Sequence, residues 1–196
     1  GAFENSGLKE ISIPDGVTQL QANIFYNCRN LANVQLPELL KIIDEYAFGY
    51  CRALASIELP DSLIDIGECV FIGCTSLISV TIPDGVTDLG NRVFFNCTSL
   101  NNITLPDSLT NIGYEVFENT AYYNDTNNWK NNFLYIGKHL IEVNRDLSGD
   151  YKIKNGFNTV DKYYLNIDGE PYALVNEDLY TLSEWIEGRE CDFHNI

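Results

Sequence analysis

The amino-acid sequence predicts an α/β-type repeat solenoid. It is expected to be a right-handed arc with short parallel strands on a concave face, short helical or 3-10 turns on the convex side and an irregular C-terminal cap. Two observations carry that expectation. Proline recurs at Pro14, Pro37, Pro60, Pro83 and Pro106, and phenylalanine at Phe25, Phe48, Phe71, Phe94 and Phe117, every step being 23 residues. Aliphatic columns keep the same step, among them Leu8/Leu31/Leu54/Leu77/Leu100 and Leu20/Ile43/Ile66/Leu89/Ile112, and Cys28, Cys51, Cys74 and Cys97 add a thiol column that ends at Thr120. A unit this short has no partner surface of its own for so many apolar side chains, so it must stack on its neighbours to bury them.

Each element follows from the residues at one phase of the repeat. The stretch before each proline alternates with period two, as a strand with one buried face does, and successive strands are expected to pair in parallel. Proline has no N–H to continue a ladder and stops every strand at the same place. The Asp or Glu behind it, followed by Gly or Ser in four of the five repeats, makes a corner turn. Gly67, Gly90 and Gly113 are expected in a left-handed backbone conformation, in a column that holds Gln21 and Asp44 in the first two repeats. Phe and Cys lie three apart, so one helical turn can point both inward, although the segment is too short for a standard α-helix. At roughly 4.8 Å per stacked strand, five coils would extend only ~25 Å.

The expected organisation is a solenoid over 1–160 and a C-terminal cap over 161–196. The solenoid divides into a half repeat over 1–7, five regular repeats over 8–121, and an irregular loop with a degenerate repeat over 122–160. Phe3 and Ser6 occupy the Phe and Cys columns of a unit shortened by one residue, so the chain begins inside a repeat. Either an upstream array has been removed, the favoured reading because caps are atypical and polar, or this half unit is itself the cap. Residues 122–132, rich in Tyr, Asn and Asp, read as a loop. Two short strands follow around Gly137-Lys138, and 151–160 restores the repeat phase without its proline. Asp168-Gly169 suggests a hairpin turn and Glu177 to Glu187 a short helix.

The pattern Leu-x-x-Ile-x-Ile-Pro-x-x-Val-x-x-Ile-Gly-x-x-Ala-Phe-x-x-Cys resembles the leucine-rich repeats of BspA-like bacterial surface proteins, in register from residue 8 to 121. That resemblance implies a secreted or cell-surface protein concerned with adhesion, in which no repeat position is catalytic.

Composition sets the outer limits. Lys and Arg number 12 against 28 Asp and Glu, a net charge of −16, which argues against a phosphate-binding basic patch and hence against a nucleic-acid partner. Hydrophobic residues make up 45%, enough for a sizeable core, yet no apolar run reaches the ~18 residues of a membrane span. No nucleophile elbow, phosphate-cradling glycine loop or zinc-protease motif occurs, so neither a catalytic residue nor a cofactor is expected. The acidic column Asp15/Glu38/Asp61/Asp84/Asp107 is read as shaping turns rather than holding calcium. His139 and His194 are read as surface residues, the column cysteines as free buried thiols, and Cys69 as exposed.

Ligand recognition is expected on the outward strand positions Glu10, Asn33, Ser56, Ser79 and Asn102, together with Ser12, Gln35, Glu58, Thr81 and Thr104. The partner class is an extracellular protein or glycan. The alternative is a structural spacer or self-association segment. Tyr26, Ile72 and Phe95, in one column with Gly49 and Glu118, form a second candidate strip on the opposite corner, either exposed or tucked beneath a neighbour.

Overall fold

A proline in every coil fixes where the backbone turns. Strands Glu10–Ser12, Asn33–Gln35, Ser79–Thr81 and Asn102–Thr104 each end two residues before one. The proline carbonyl then accepts from the N–H three residues on, at Val17, Leu40, Leu63, Val86 and Leu109, over 3.0 to 3.2 Å. This is the corner turn the Asp-Gly and Asp-Ser pairs lead one to expect. The computed structural model describes residues 1–130 and 133–143 and the backbone of 164–167, 170–175 and 178–181. It divides into two compact units, Gly1–Asn128 and Trp129–Ile196.

The first unit is a solenoid of parallel strands, with a second strand column that the sequence did not suggest. Gln19–Leu20, Ile42–Ile43, Asp65–Ile66, Asp88–Leu89 and Asn111–Ile112 stack into one five-stranded parallel sheet. Each strand is two residues long, so its polar-apolar alternation is too brief to register against the surrounding turn residues.

The convex segment corrects two expectations. Instead of a helical turn, each coil places two residues four apart in the left-handed region. Asn23 and Asn27, Tyr46 and Tyr50, Cys69 and Gly73, Arg92 and Asn96, and Glu115 and Asn119 all have φ between 55° and 67°. Alternate N–H groups then leave the coil. Asn23, Phe25 and Asn27 donate to the carbonyls of Glu45, Ala47 and Gly49 in the next coil at 3.0, 2.9 and 2.7 Å, while Ile24, Tyr26 and Cys28 donate back within their own. A helix would aim its N–H groups along its own axis instead of sideways at the next coil, and this ladder would be lost. Gly67, Gly90 and Gly113 are not the left-handed positions. A Cβ on Gly90 would stand 2.7 Å from the backbone N of Glu68 and the carbonyl carbon of Gly67, so glycine here serves close approach of two coils.

The core is a column of rings beside a column of thiols. Phe3, Phe25, Phe48, Phe71, Phe94 and Phe117 stack with centroids 5.3 to 5.6 Å apart and planes within 4° to 19° of parallel. The Sγ atoms of Cys28, Cys51, Cys74 and Cys97 donate to the carbonyl of the Phe one coil earlier, at 2.9 to 3.2 Å, and all four thiols are free and buried. Cys69, expected at the surface, is buried as well, and its hydrogen bond with Tyr46 is the main cause that raises that hydroxyl to about 12. Thr120 ends the thiol column. Its hydroxyl accepts from the Tyr123 N–H at 3.0 Å and caps the helix Ala121–Asn124, so the expected loop begins helically and continues through a 3-10 turn at Thr126–Asn128.

Burial pushes the Cys51 and Cys97 thiols up to about 12 and Cys74 well above its ordinary value. An unfolded thiol loses its proton near pH ~8.5, whereas these keep theirs, so above that pH the unfolded chain binds fewer protons and stability falls as pH rises. The expected slope is about 1.4 kcal/mol per pH unit for each thiol, up to the folded values near 12. Urea unfolding under reducing conditions between about pH 8 and about pH 11 should show it, with Cys74→Ala shallower by one thiol's share.

In the second unit, Trp129–Lys130, Phe133–Ile136 and His139–Val143 form an antiparallel sheet rather than a further parallel coil. Gly137, at φ 61°, makes the expected turn with Lys138. His139 is buried, not at the surface, among a set that includes Phe133, Leu134, Leu140 and Ile141. Tyr164–Ile167, Glu170–Val175 and Asp178–Thr181 form a second antiparallel sheet whose register brackets Asp168-Gly169, as a hairpin requires. The helix expected over 177–187 is contradicted by the strand Asp178–Thr181. The degenerate repeat over 151–160, the boundary at 160/161, Cys191 and His194 lie outside the described residues.

Candidate functional site

Strand alternation decides which side chains leave the core. Ile11, Val34, Ile57, Val80 and Ile103 turn inward, so their neighbours on either side must face solvent. Glu10, Ser12, Asn33, Gln35, Ser56, Glu58, Thr81, Asn102 and Thr104 are exposed and Ser79 is half-buried, so all ten expected positions share one polar face. Hydrogen bonding across coils is sparse there, with Ser12 donating to Gln35 Oε1 at 3.1 Å.

The face is not one continuous sheet. Strand Glu10–Ser12 pairs with Asn33–Gln35, and Ser79–Thr81 with Asn102–Thr104, but residues 56–58 of the third coil bridge to neither pair. On the N-terminal side of this break lies an open trough of about 900 Å³, walled by the first three coils. Glu10, Glu38, Glu58 and Asp61 line it, and no Lys, Arg or aromatic side chain does. Among the described residues, these four carboxylates make no ion pair, whereas Gly1 pairs with Glu4 and Arg92 with Glu115. The sequence put Glu38 and Asp61 in a turn column separate from the face. The structure brings both to the same trough, a proximity that follows from the turn lying two residues beyond each strand.

A family model for a BspA-type leucine-rich repeat region matches residues 1–124 in six copies. The chain belongs to that family. Among solved structures, a leucine-rich repeat protein of Bacteroides ovatus is 38% identical, with a TM-score of 0.55 over 57% of this chain and 29% of its own. The T. pallidum leucine-rich repeat protein is 28% identical, with a TM-score of 0.53 over 62% of this chain and 68% of its own. A leucine-rich cell surface protein of Faecalibacterium prausnitzii is 28% identical, with a TM-score of 0.55 over 89% of this chain and 42% of its own. The chain thus spans well under half the length of two of these relatives. No curated protein matches it.

The shortened first unit of this BspA-type array stacks Phe3 on Phe25 and hydrogen-bonds Ser6 to Cys28 at 3.2 Å, as their column positions imply. Other candidate positions in the array do not assemble into sites. Asp15, Glu38, Asp61, Asp84 and Asp107 are all exposed, and no group of three metal-ligating side chains occurs among the described residues. The second candidate strip is tucked rather than exposed. Ile72 is buried, and a Cβ on Gly49 would already lie 3.1 Å from the Tyr26 ring and 3.2 Å from Ile72, so Tyr26 closes over Gly49. Phe95 lies beneath the Arg92 guanidinium, 5.7 Å from its ring centroid, and Arg92 in turn pairs with Glu115. No helix of the described residues is long and apolar enough to cross a membrane.

Proposed function

We propose that this BspA-type array is a non-enzymatic recognition module of a secreted or cell-surface protein, binding an extracellular protein or glycan through its strand face. The observation that supports it is the exposed polar face with its open trough, whose four carboxylates meet no cation of the chain's own among the described residues. A rigid stack presents such a surface without ordering it at the moment of binding, which lowers the entropic cost of association. The surface location draws on the Faecalibacterium prausnitzii relative, which is described as a cell surface protein.

The test is binding of the purified chain at physiological salt to a panel of matrix proteins, mucins and glycans, beside the variant Glu58→Lys/Thr81→Lys. Both positions are exposed, so the variant should fold as the parent does. Binding that weakens about tenfold or more in the variant is the expected result. Silence across the panel, or binding indifferent to the two lysines, would move the function away from this face and toward a spacer that holds other domains apart.

A further inference from the structure

Whatever the strand face binds, we infer that the thiol column makes opening of the array reversible only in reducing surroundings, because coils that separate are captured by a low-molecular-weight disulfide and held apart. Cys28, Cys51, Cys74 and Cys97 are fully buried and unbonded to one another. Each Sγ lies 2.9 to 3.2 Å from the carbonyl oxygen of Phe3, Phe25, Phe48 or Phe71 in the preceding coil, so the contact between two coils shuts it in. Burial also holds Cys51 and Cys97 protonated up to about 12, and the protonated sulfur is not the form that attacks a disulfide. Separation of the coils removes both protections at once. In water the Sγ–H gives up its proton, the thiolate attacks one sulfur of the small disulfide, and that S–S bond breaks as a new one forms. The released thiolate takes up a proton, so the cysteine is oxidised and half of the small disulfide reduced. Restacking then fails, because a close-packed column has no space for the added group and the S–H that bonded the Phe carbonyl is gone. Packing alone does not demand sulfur here. Ser6 stands at one end of the column with its hydroxyl 3.2 Å from the Cys28 Sγ, and fully buried Thr120 stands at the other, its hydroxyl donating to the Phe117 carbonyl at 2.8 Å. A hydroxyl fits the place and cannot be captured.

The test takes the whole chain carrying Cys69→Ala and Cys191→Ala, which leaves the four column thiols alone. Oxidised glutathione is the probe, with adducts read by intact mass and folding by circular dichroism. Modification of the native chain should be at least about a hundredfold slower than modification in urea. Chains modified in urea should stay unfolded on dilution and recover once dithiothreitol removes the adducts. Cys28→Ser/Cys51→Ser/Cys74→Ser/Cys97→Ser in the same background should refold equally well with and without oxidised glutathione. Should that variant not fold, alanine at the same four positions takes its place, and the first two readouts stand on the parent in either case. Native thiols that react as fast as unfolded ones would overturn the inference. So would modified chains that refold with their adducts in place, or a column without cysteine that oxidised glutathione blocks as well.

Discussion

Replacing Phe71 by alanine is expected to cost about 3 to 5 kcal/mol, as large an effect as truncation of any ring in the column should have. The ring is fully buried and lies 5.5 Å from Phe48 and 5.4 Å from Phe94, within 4° of parallel with each. Truncation therefore opens a cavity and removes two ring contacts, each contributing about 0.5 to 1.5 kcal/mol beyond burial. Each coil touches only its neighbours, so a gap at the third coil weakens the one connection between the N-terminal and C-terminal halves of the stack. Urea unfolding should broaden as well as shift. Phe3→Ala is the control. That ring is 41% exposed with a single stacking partner, and its loss should cost less than about 1.5 kcal/mol. Similar losses for the two variants would show that the ring column does not hold the coils together.

Gly90→Ala is expected to destabilise by about 2 to 3 kcal/mol, although it adds only a methyl group. The new Cβ would stand 2.7 Å from backbone atoms of Glu68 and Gly67, and backbone cannot rotate aside as a side-chain tip can. Relief requires the fourth coil to move off the third, against the hydrogen bond from the Gly90 N–H to the Ile66 carbonyl. Gly16→Ala should have the opposite sign. A Cβ there meets nothing within 4 Å and φ is not left-handed, so the alanine should stabilise by about 0.4 to 1 kcal/mol through the unfolded chain. Parallel urea melts of the two variants test the pair. A neutral Gly90→Ala would mean that the glycine column does not set the spacing of the coils.

Much of this was legible because one ring, one proline and one thiol per coil repeat at a fixed step. Misreadings arose where one spacing satisfies two geometries. Phe and Cys three residues apart fit a helical turn, but they fit a run of reverse turns equally well. The deciding signal was present in the residues flanking them. Asn5, Asn23, Asn27, Asn96 and Asn119 all sit at left-handed positions, and asparagine tolerates that conformation better than most residues. Glycine at 67, 90 and 113 drew attention to the wrong column, because it allows both positive φ and close contact, and only the neighbouring coil shows which is in use. Cys69 was misread from the Asn, Tyr, Arg and Glu that share its column, since its burial depends on the adjacent coil rather than its own. The ten outward strand positions follow from alternation alone. The break at 56–58 and the approach of Glu38 and Asp61 belong to relations between coils, which no single period encodes.

The inter-coil ladder on the convex side has a consequence for how such genes can change length. Its hydrogen bonds join backbone atoms at a constant offset, and its ring and thiol contacts join like to like, so any coil is a fitting neighbour for any other. Duplication of a 23-residue window, begun at any phase, inserts one intact coil and disturbs no junction. A smaller change is accommodated at one corner. The first copy lacks a residue between Ser6 and Leu8, and its ring still stacks on Phe25, so that corner absorbs a deletion. Recombination between copies can therefore lengthen or shorten the array in whole coils, and the turn after the thiol column accommodates a single-residue change.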